Sequence, residues 1–279
     1  MNQKQMAIGQ KIIFKIKKTN SNTAEISLSI HINKSWITFC LFNNGNLFDI
    51  DKVNFLPNQK SSTAQKTLKK YINSFSKKDN PDKVKVIHYS TKSTLVPSVL
   101  FDQKNSLNYL KYSSSVEAGN LVANDKILEN EINNVYVPNT DFDNLLLKKF
   151  KSFDYFHYSS LIIEKFSNEV TSNFSQKIFL NINIGFIDIL FFKNKKLAFY
   201  NSFDHETPED ILYYLLFCFS QLDLNPEEIH TICSGNIDLN SKVYALLYKY
   251  VRNIDLFKFK EINGVDSNIL KTNILLREF

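Results

Sequence analysis

The hydrophobic positions between residues 177 and 203 follow the pattern of a three-stranded antiparallel meander. In the first strand every second residue is apolar, which predicts one buried strand face. These apolar positions are Ile178, Leu180, Ile182 and Ile184. Gly185 then permits a tight reversal, and two further strands are predicted over 187–192 and 197–200, joined by a polar turn.

The same alternation occurs near the start of the chain, at Ile26, Leu28, Ile30 and Ile32. A strand over 35–42, the turn sequence NNGN and a strand over 47–50 follow it. Each meander is followed by a predicted helix and strand, over 61–75 and 83–89 in the first half and over 209–221 and 228–233 in the second. Residues 26–32 match 178–184 at a constant offset, and 87–90 match 232–235, so we predict an internal duplication.

Between these two regions, residues 94–137 read as an insertion with an extended stretch, a short helix over 105–112 and a hairpin. A helix over 141–150, a strand over 154–158 and a helix over 160–172 close the first half. The second half ends with a helix over 239–251 and a strand over 254–259. We therefore predict an N-terminal arm (1–24), a first subdomain (25–173, with the insertion) and a second subdomain (174–279).

The helix over 209–221 has the strongest start signal, because Thr207 can cap it, Pro208 suits its first position and Asp210 suits its third. Its sequence is apolar on nearly all sides, so we expect it to be buried on several of them.

The composition supports a large core, with 43% hydrophobic and 14% aromatic residues. Glycine is scarce, with 6 in 279 residues, where average usage of about 7% would give roughly twenty. Loops that cradle phosphates use glycine where the backbone approaches the ligand. The scarcity therefore argues against an enzyme of that class.

The net charge of +6 raises the question of nucleic-acid binding. The positive residues are nearly all lysines spread along the chain, and Arg252 and Arg277 are the only arginines. Arginine is the preferred residue for bidentate contacts to phosphate and guanine. The pattern favours a solvated basic surface and makes a nucleic-acid partner improbable.

The cysteines and the apolar runs indicate the compartment. Cys40, Cys218 and Cys233 are far apart and odd in number, which predicts buried free thiols in a reducing environment. No run reaches the ~18 apolar residues that span a bilayer. We expect a cytoplasmic protein without a membrane span.

The element order resembles that of the actin-like ATPase superfamily, the group of sugar kinases, chaperones and actins, with the pilus-assembly and cell-division members nearest. The chain also resembles uncharacterised bacterial families, of Bacteroidetes type, that carry a decayed version of this fold. The resemblance implies an α/β fold of duplicated RNase H-like subdomains. Each would have a mixed sheet with three antiparallel strands and flanking helices, and a cleft would separate the two.

The resemblance also implies where a nucleotide would bind. In active members each first hairpin carries an acidic residue, for the metal, followed two places later by a glycine that wraps a phosphate. His31-Ile32-Asn33 has neither, and Asn183-Ile184-Gly185 keeps the glycine but has Asn for the acid. The adenosine motif, an apolar strand ending in two glycines, resembles residues 232–235, with one glycine. The implied nucleotide-binding residues are His31, Asn33, Asn183, Gly185, Ser234 and Gly235, although ordinary strand-end turns explain these places equally well.

Other chemistry has less support. A nuclease on this fold needs clustered carboxylates for two metals, and Asp188 is the one acid of the central hairpin, where we expect it to be solvated. The five histidines have no metal-ligand spacing, and His31 is predicted to be a hydrogen-bonded structural histidine. We expect no catalytic residue and no metal ligand.

These observations predict a non-catalytic actin-like binding or scaffold protein with a decayed nucleotide site and a protein partner, for which a second copy of the chain is one candidate. No cofactor is expected. The alternatives are a nucleotide-binding switch that holds ATP with little or no hydrolysis, and an RNA-associated accessory protein.

Overall fold

The computed structural model describes residues 25–33, 36–54, 61–75, 81–117, 119–170, 176–259, 271 and 273–277. The chain divides into two compact units, a first unit up to Ser160 and a second unit from Leu161. The predicted N-terminal arm, 1–24, lies outside the described residues.

The first unit contains a five-stranded mixed sheet in the order β3-β2-β1-β4-β8. β1, β2 and β3 are antiparallel, whereas β1 pairs with β4 and β4 with β8 in parallel. The strands are β1 (Ile26–Ile32), β2 (Trp36–Asn43), β3 (Asn46–Asn54), β4 (Lys83–His88) and β8 (Asp154–His157).

Two helices cover one face of this sheet, α1 (Ser61–Ser74) and α3 (Thr140–Lys149). Leu68 of α1 and Leu146 of α3 pack on the alternating apolar side chains of β1, such as Ile30, and all three are fully buried. The other face of β1 carries Ser29 and His31.

The predicted insertion forms a separate three-stranded antiparallel sheet in the order β5-β7-β6. Its elements are β5 (Ser93–Pro97), the short helix α2 (Ser106–Lys111), β6 (Ala123–Ile127) and β7 (Ile132–Tyr136). Val96, Leu110 and Val135 form its own small core.

The second unit repeats the strand order of the first, with a sheet in the order β11-β10-β9-β12-β13. β9, β10 and β11 are antiparallel, and β12 is parallel to both β9 and β13. The strands are β9 (Gln176–Asn183), β10 (Phe186–Lys193), β11 (Lys196–Asp204), β12 (His230–Gly235) and β13 (Ile254–Leu256). The predicted fold class, α/β with two such mixed sheets, is confirmed.

Helices α5 (Pro208–Gln221) and α6 (Lys242–Leu247) accompany this second sheet, and α5 begins at the predicted capping box of Thr207 and Asp210. Leu215 is fully buried against the apolar face of β9 and β10, as the pattern requires. The expectation that α5 is buried on several sides is wrong, because Tyr213 is 63% and Phe217 45% exposed. An apolar sequence does not distinguish a core position from an aromatic residue on a helix surface.

The strand register of the two meanders shows that the predicted alignment of the two halves is wrong by two residues. Each second strand has a β-bulge, between Leu41 and Phe42 in one unit and between Phe191 and Phe192 in the other. Superposing the bulges places Ile32 at the position of Ile182, two residues from the predicted match with Ile184. Ile184 instead lies in the turn after β9 and is 49% exposed. The same superposition aligns Gly235 with His88, so the predicted pairing of residues 87–90 with 232–235 is displaced by two residues as well.

The remaining helix, α4 (Tyr158–Ser167), begins in the first unit and ends in the second. Its Phe166 ring stacks on Phe179 of β9 with centroids 4.4 Å apart. The three cysteines are free and buried, as predicted. None of the helices among the described residues combines the length and apolarity that crossing a membrane requires.

Candidate functional site

Four of the six residues implied to bind a nucleotide lie together in the second unit. Ser234 and Gly235 end β12 and pair with Asn181 and Ile182 of β9. Asn183 is the last residue of β9, and Gly185 lies in the turn that follows. The other two, His31 and Asn33, lie at the corresponding end of β1 in the first unit.

A buried carboxylate occupies the centre of this region. Asp188 is fully buried on β10, directly opposite Asn181. Its Oδ2 accepts hydrogen bonds from Asn181 Nδ2 and Asn183 Nδ2, both at 3.2 Å, and its Oδ1 accepts one from the Tyr200 hydroxyl at 3.1 Å. Ser234 extends the network by donating from Oγ to Asn181 Oδ1 at 2.8 Å.

The sequence-based expectation that Asp188 is solvated is therefore wrong. A buried carboxylate is costly unless hydrogen bonds satisfy it, and three neutral donors among the described residues contribute to this. A signal was present in the sequence, because Asp188 interrupts an apolar strand (FIDILFF). Both faces of β10 are buried, so an acid in such a run must find partners on its own face. The two asparagines of the preceding strand, on the same face, supply them.

The side chain of Asn183 belongs to this internal network, because its amide donates a hydrogen bond to Asp188. The backbone of Asn183 is also engaged, since its carbonyl accepts a hydrogen bond from His205 Nε2 at 2.9 Å. The Asn183 side chain is thus held at a fixed place by contacts within the second unit.

Gly235 has a structural reason to be glycine. Its φ is +87°, and a Cβ atom built on it would lie 2.1 Å from the carbonyl oxygen of Ile182. The next residue, Asn236, donates its backbone N–H to that same oxygen at 2.7 Å. Glycine lets β12 approach β9 this closely, and Gly185, with φ +84°, likewise suits its turn.

His31 is buried on β1, 4% exposed, and lies opposite Thr38. The ring is hydrogen-bonded, as predicted, since its Nε2 lies 2.8 Å from Ser29 Oγ. Burial, and to a smaller extent the positive charges of Lys52 and Lys85, lower the pKa of His31 to about 3. The imidazole is therefore neutral at pH 7, in positively charged surroundings.

Asn33 shapes the turn after β1. Its backbone N–H donates to Trp36 O at 3.0 Å, and its Oδ1 accepts from Trp36 N at 3.1 Å. Lys52 lies over the Trp36 ring, with Nζ 4.7 Å from the centroid. The described contacts of Asn33 are those of a turn residue.

A second polar network, which the sequence did not indicate, joins the insertion to the start of α4. Asp125 of β6 accepts hydrogen bonds from His157 N at 2.8 Å, Ser160 Oγ at 2.5 Å and the Tyr136 hydroxyl at 2.7 Å. Burial raises the pKa of Asp125, although these three donors oppose that change. Asp125 satisfies donors at the beginning of α4, as a capping residue does.

His157 and Asn134 complete this second network. Burial lowers the pKa of His157 to about 4, so the ring is neutral at pH 7. Its Nε2 donates to Ser90 O at 3.0 Å, while Nδ1 accepts from Ser159 N at 3.2 Å. Asn134 Nδ2 donates to the hydroxyls of Ser159 and Ser160, both at 2.8 Å. These contacts fix the insertion relative to the main sheet of the first unit.

Within the part of the chain that the structure describes, no three His, Cys, Asp or Glu side chains are grouped so as to hold a metal ion.

Comparison with known proteins identifies a family and a fold. The model of the family described as "Protein of unknown function (DUF3822)" matches residues 15–254. Among curated proteins, none matches the chain.

Two solved structures show the fold. A crystal structure from Bacteroides thetaiotaomicron, described as having an actin-like ATPase fold and unknown function, has a TM-score of 0.74 and 20% identity over 90% of this chain and 95% of that one. A PilM–PilN type IV pilus biogenesis complex has a TM-score of 0.56 and 11% identity, over 90% and 96% of the two chains. The predicted resemblance to the actin-like superfamily is confirmed.

Proposed function

We propose that this chain, which belongs to the DUF3822 family of proteins of unknown function, is a non-catalytic actin-like binding or scaffold protein of the bacterial cytoplasm. In this proposal the two halves descend from an internal duplication, and the residues that correspond to a nucleotide site have taken structural roles. The protein then acts through its surfaces rather than through turnover of ATP.

The observation that carries the proposal is the hydrogen bond between Asn183 Nδ2 and Asp188 Oδ2, 3.2 Å long. This hydrogen bond holds the Asn183 amide in an orientation set by the fold. Asn183 has lost the charge of the acid expected there, and its amide N–H already serves a buried carboxylate. Magnesium prefers carboxylate oxygens and water as ligands, so an amide in this role is a weak substitute.

The surroundings of His31 support the same conclusion for the first unit. Lys52 and Lys85 act on His31 as positive charges. Two unit charges 4 Å apart interact by about 4 kcal/mol at an effective dielectric constant of 20. A magnesium ion near this hairpin would meet repulsion where an active relative supplies an acid.

The proposed partner is another protein. The similar PilM structure was solved as a complex with PilN, which supports a partner-binding role for the fold. A second copy of the chain is the other protein partner that we consider, and sedimentation of the purified protein at increasing concentration separates a homodimer from a monomer.

A nucleotide-binding switch is the second candidate. It is favoured by the position of Ser234 and Gly235 at the carboxyl end of β12, beside the turn that contains Gly185. Backbone with positive φ at a strand end can leave N–H groups available to a phosphate.

Calorimetric titration of the full chain with Mg²⁺-ATP separates the two candidates. The scaffold proposal predicts no saturable heat, and no ATP hydrolysis above a protein-free blank. Ser234→Ala is the variant to compare, with Ser220→Ala on the exposed end of α5 as its matched control. Micromolar binding that Ser234→Ala weakens and Ser220→Ala leaves intact would establish the switch instead. A substitution of Gly235 is unsuitable for testing nucleotide binding, because any side chain there collides with Ile182.

A further inference from the structure

The second unit contains a cavity of about 930 Å³ that lies away from the residues discussed above. Its wall includes His230, at the start of β12, and the turn Arg252–Asn253 that leads into β13. Ser234 and Gly235 are at the opposite end of β12. The volume falls in the range of about 300–1,000 Å³ that is usual for ligand sites.

One wall of the cavity carries Arg252, one of two arginines in a chain whose other basic residues are lysines. Its backbone N–H donates to Pro226 O at 3.1 Å, which fixes the turn. Its guanidinium makes no ion pair or hydrogen bond with the described part of the chain. An exposed guanidinium suits a carboxylate, which it can bind through two parallel hydrogen bonds.

The wall also carries three carboxylates, Asp223, Glu228 and Asp255, and neutral or weakly basic groups orient the last two. His230 Nε2 donates to Asp255 Oδ2 at 2.8 Å, and Asn225 Nδ2 donates to Glu228 Oε1 at 3.0 Å. The other oxygen of each of these two carboxylates has no hydrogen bond from a described residue. These oxygens are acceptors for an ammonium or guanidinium group.

The wall also includes a pair of tyrosines one helical turn apart. The Tyr244 and Tyr248 rings stack with centroids 5.8 Å apart at 21°, and Tyr248 is 59% exposed. Arg252 follows Tyr248 at the same spacing of four residues. Tyrosine faces bind apolar and cationic groups alike and lose little entropy on binding.

We propose that this cavity binds a short peptide segment of another protein that carries charges of both signs. The carboxylate of the segment binds Arg252, its basic side chain binds Asp255 and Glu228, and its aliphatic portion packs on Tyr248. The volume is too large for a single amino acid, and the mixed charge of the wall disfavours a ligand of one sign. The inference rests on the proposed binding role, but it uses none of the residues implied to bind a nucleotide, so the two can fail separately.

Three blocked hexapeptides test the proposal on the full chain: hexalysine, hexaglutamate and an alternating lysine–glutamate peptide. Titration at low salt, followed by tyrosine fluorescence, should show saturable binding of the alternating peptide. Arg252→Ala and Asp255→Asn should each weaken it by about tenfold, as expected for a lost hydrogen bond to a charged group.

Lys249→Ala is the matched control, because this exposed lysine lies between Tyr248 and Arg252 but is not in the cavity wall. It should leave the affinity unchanged. Each variant's thermal midpoint shows that it is folded. No saturable binding of the alternating peptide, binding no tighter than that of a single-sign peptide, or equal loss in Lys249→Ala would each overturn the proposal.

Discussion

The first hairpins of the two units have the same strand pairing but differ in charge at equivalent positions, with neutral side chains in the first unit and a carboxylate in the second. With the bulges superposed, the pair of His31 and Thr38 in the first unit corresponds to Asn181 and Asp188 in the second. In the first unit a neutral histidine lies in the field of two lysines. In the second, a buried carboxylate accepts hydrogen bonds from neutral donors.

The comparison shows that the strand order does not require a particular polar group at these positions. Both hairpins keep polar side chains on the same face, and both satisfy them within their own unit. Asn183, one of the residues that the resemblance assigns to a nucleotide, takes part in this internal hydrogen bonding. The contribution of these polar side chains should therefore appear in stability measurements.

The largest expected loss of stability comes from a substitution at the end of β12, where the second unit has Gly235. The equivalent residue of the first unit, at the end of β4, is His88. Gly235→Ala should lower the free energy of unfolding by about 4 kcal/mol, through left-handed strain and displacement of β12 from Ile182. Gly45→Ala is the matched control, since Gly45 has φ +76° and no atom within 4 Å of a Cβ built on it. It should cost only the strain, about 1–2 kcal/mol.

Urea denaturation of both glycine variants measures the difference. Equal losses for the two would show that the close approach of β12 to β9 does not explain Gly235.

The next effect concerns the buried carboxylate. Asp188→Ala removes the acceptor of three hydrogen bonds and should destabilise the protein by about 3 kcal/mol, since each buried donor without a partner costs about 1–3 kcal/mol. Asp204→Ala, at the exposed end of β11, should change stability by less than about 0.5 kcal/mol. Chemical denaturation compares them, and a loss below about 1 kcal/mol for Asp188→Ala would mean that the network adds little.

How far the sequence predicts this molecule depends on the kind of feature. The strands of the meanders and the start of α5 were predicted because alternation and the capping box are local signals. Register is not local: Ile184 has the right spacing for a buried strand position, but the turn begins there. The burial of Asp188 and the network around Asp125 depend on residues brought together by pairing, which a single sequence does not display.

His31 should have a smaller effect on the free energy of unfolding, and this effect depends on pH. The pKa of His31 is about 3 in the folded protein against an ordinary value of about 6.5. The unfolded chain therefore binds a proton below pH 6.5 that the folded protein does not. Stability is complete above pH 6.5 and is lost as the pH falls towards 3, by up to about 1.4 kcal/mol per pH unit.

Unfolding in urea at pH 6 and pH 5 measures this slope. His31→Gln should reduce it by about one proton's worth, close to 1.4 kcal/mol per pH unit, while His157, whose pKa is about 4, keeps its own contribution. The same slope in wild type and variant would contradict a buried neutral His31.

A double-mutant cycle tests whether the Asn183 side chain stabilises the fold through Asp188. The free energies of unfolding of wild type, Asn183→Ala, Asp188→Ala and the double variant give the coupling between the two side chains. We expect the two losses not to be additive, with a coupling energy of about 1.5–3 kcal/mol, the contribution of a hydrogen bond to a charged group. Additive losses, within about 0.3–0.5 kcal/mol, would show that the Asn183 side chain is not committed to Asp188 and would contradict the account.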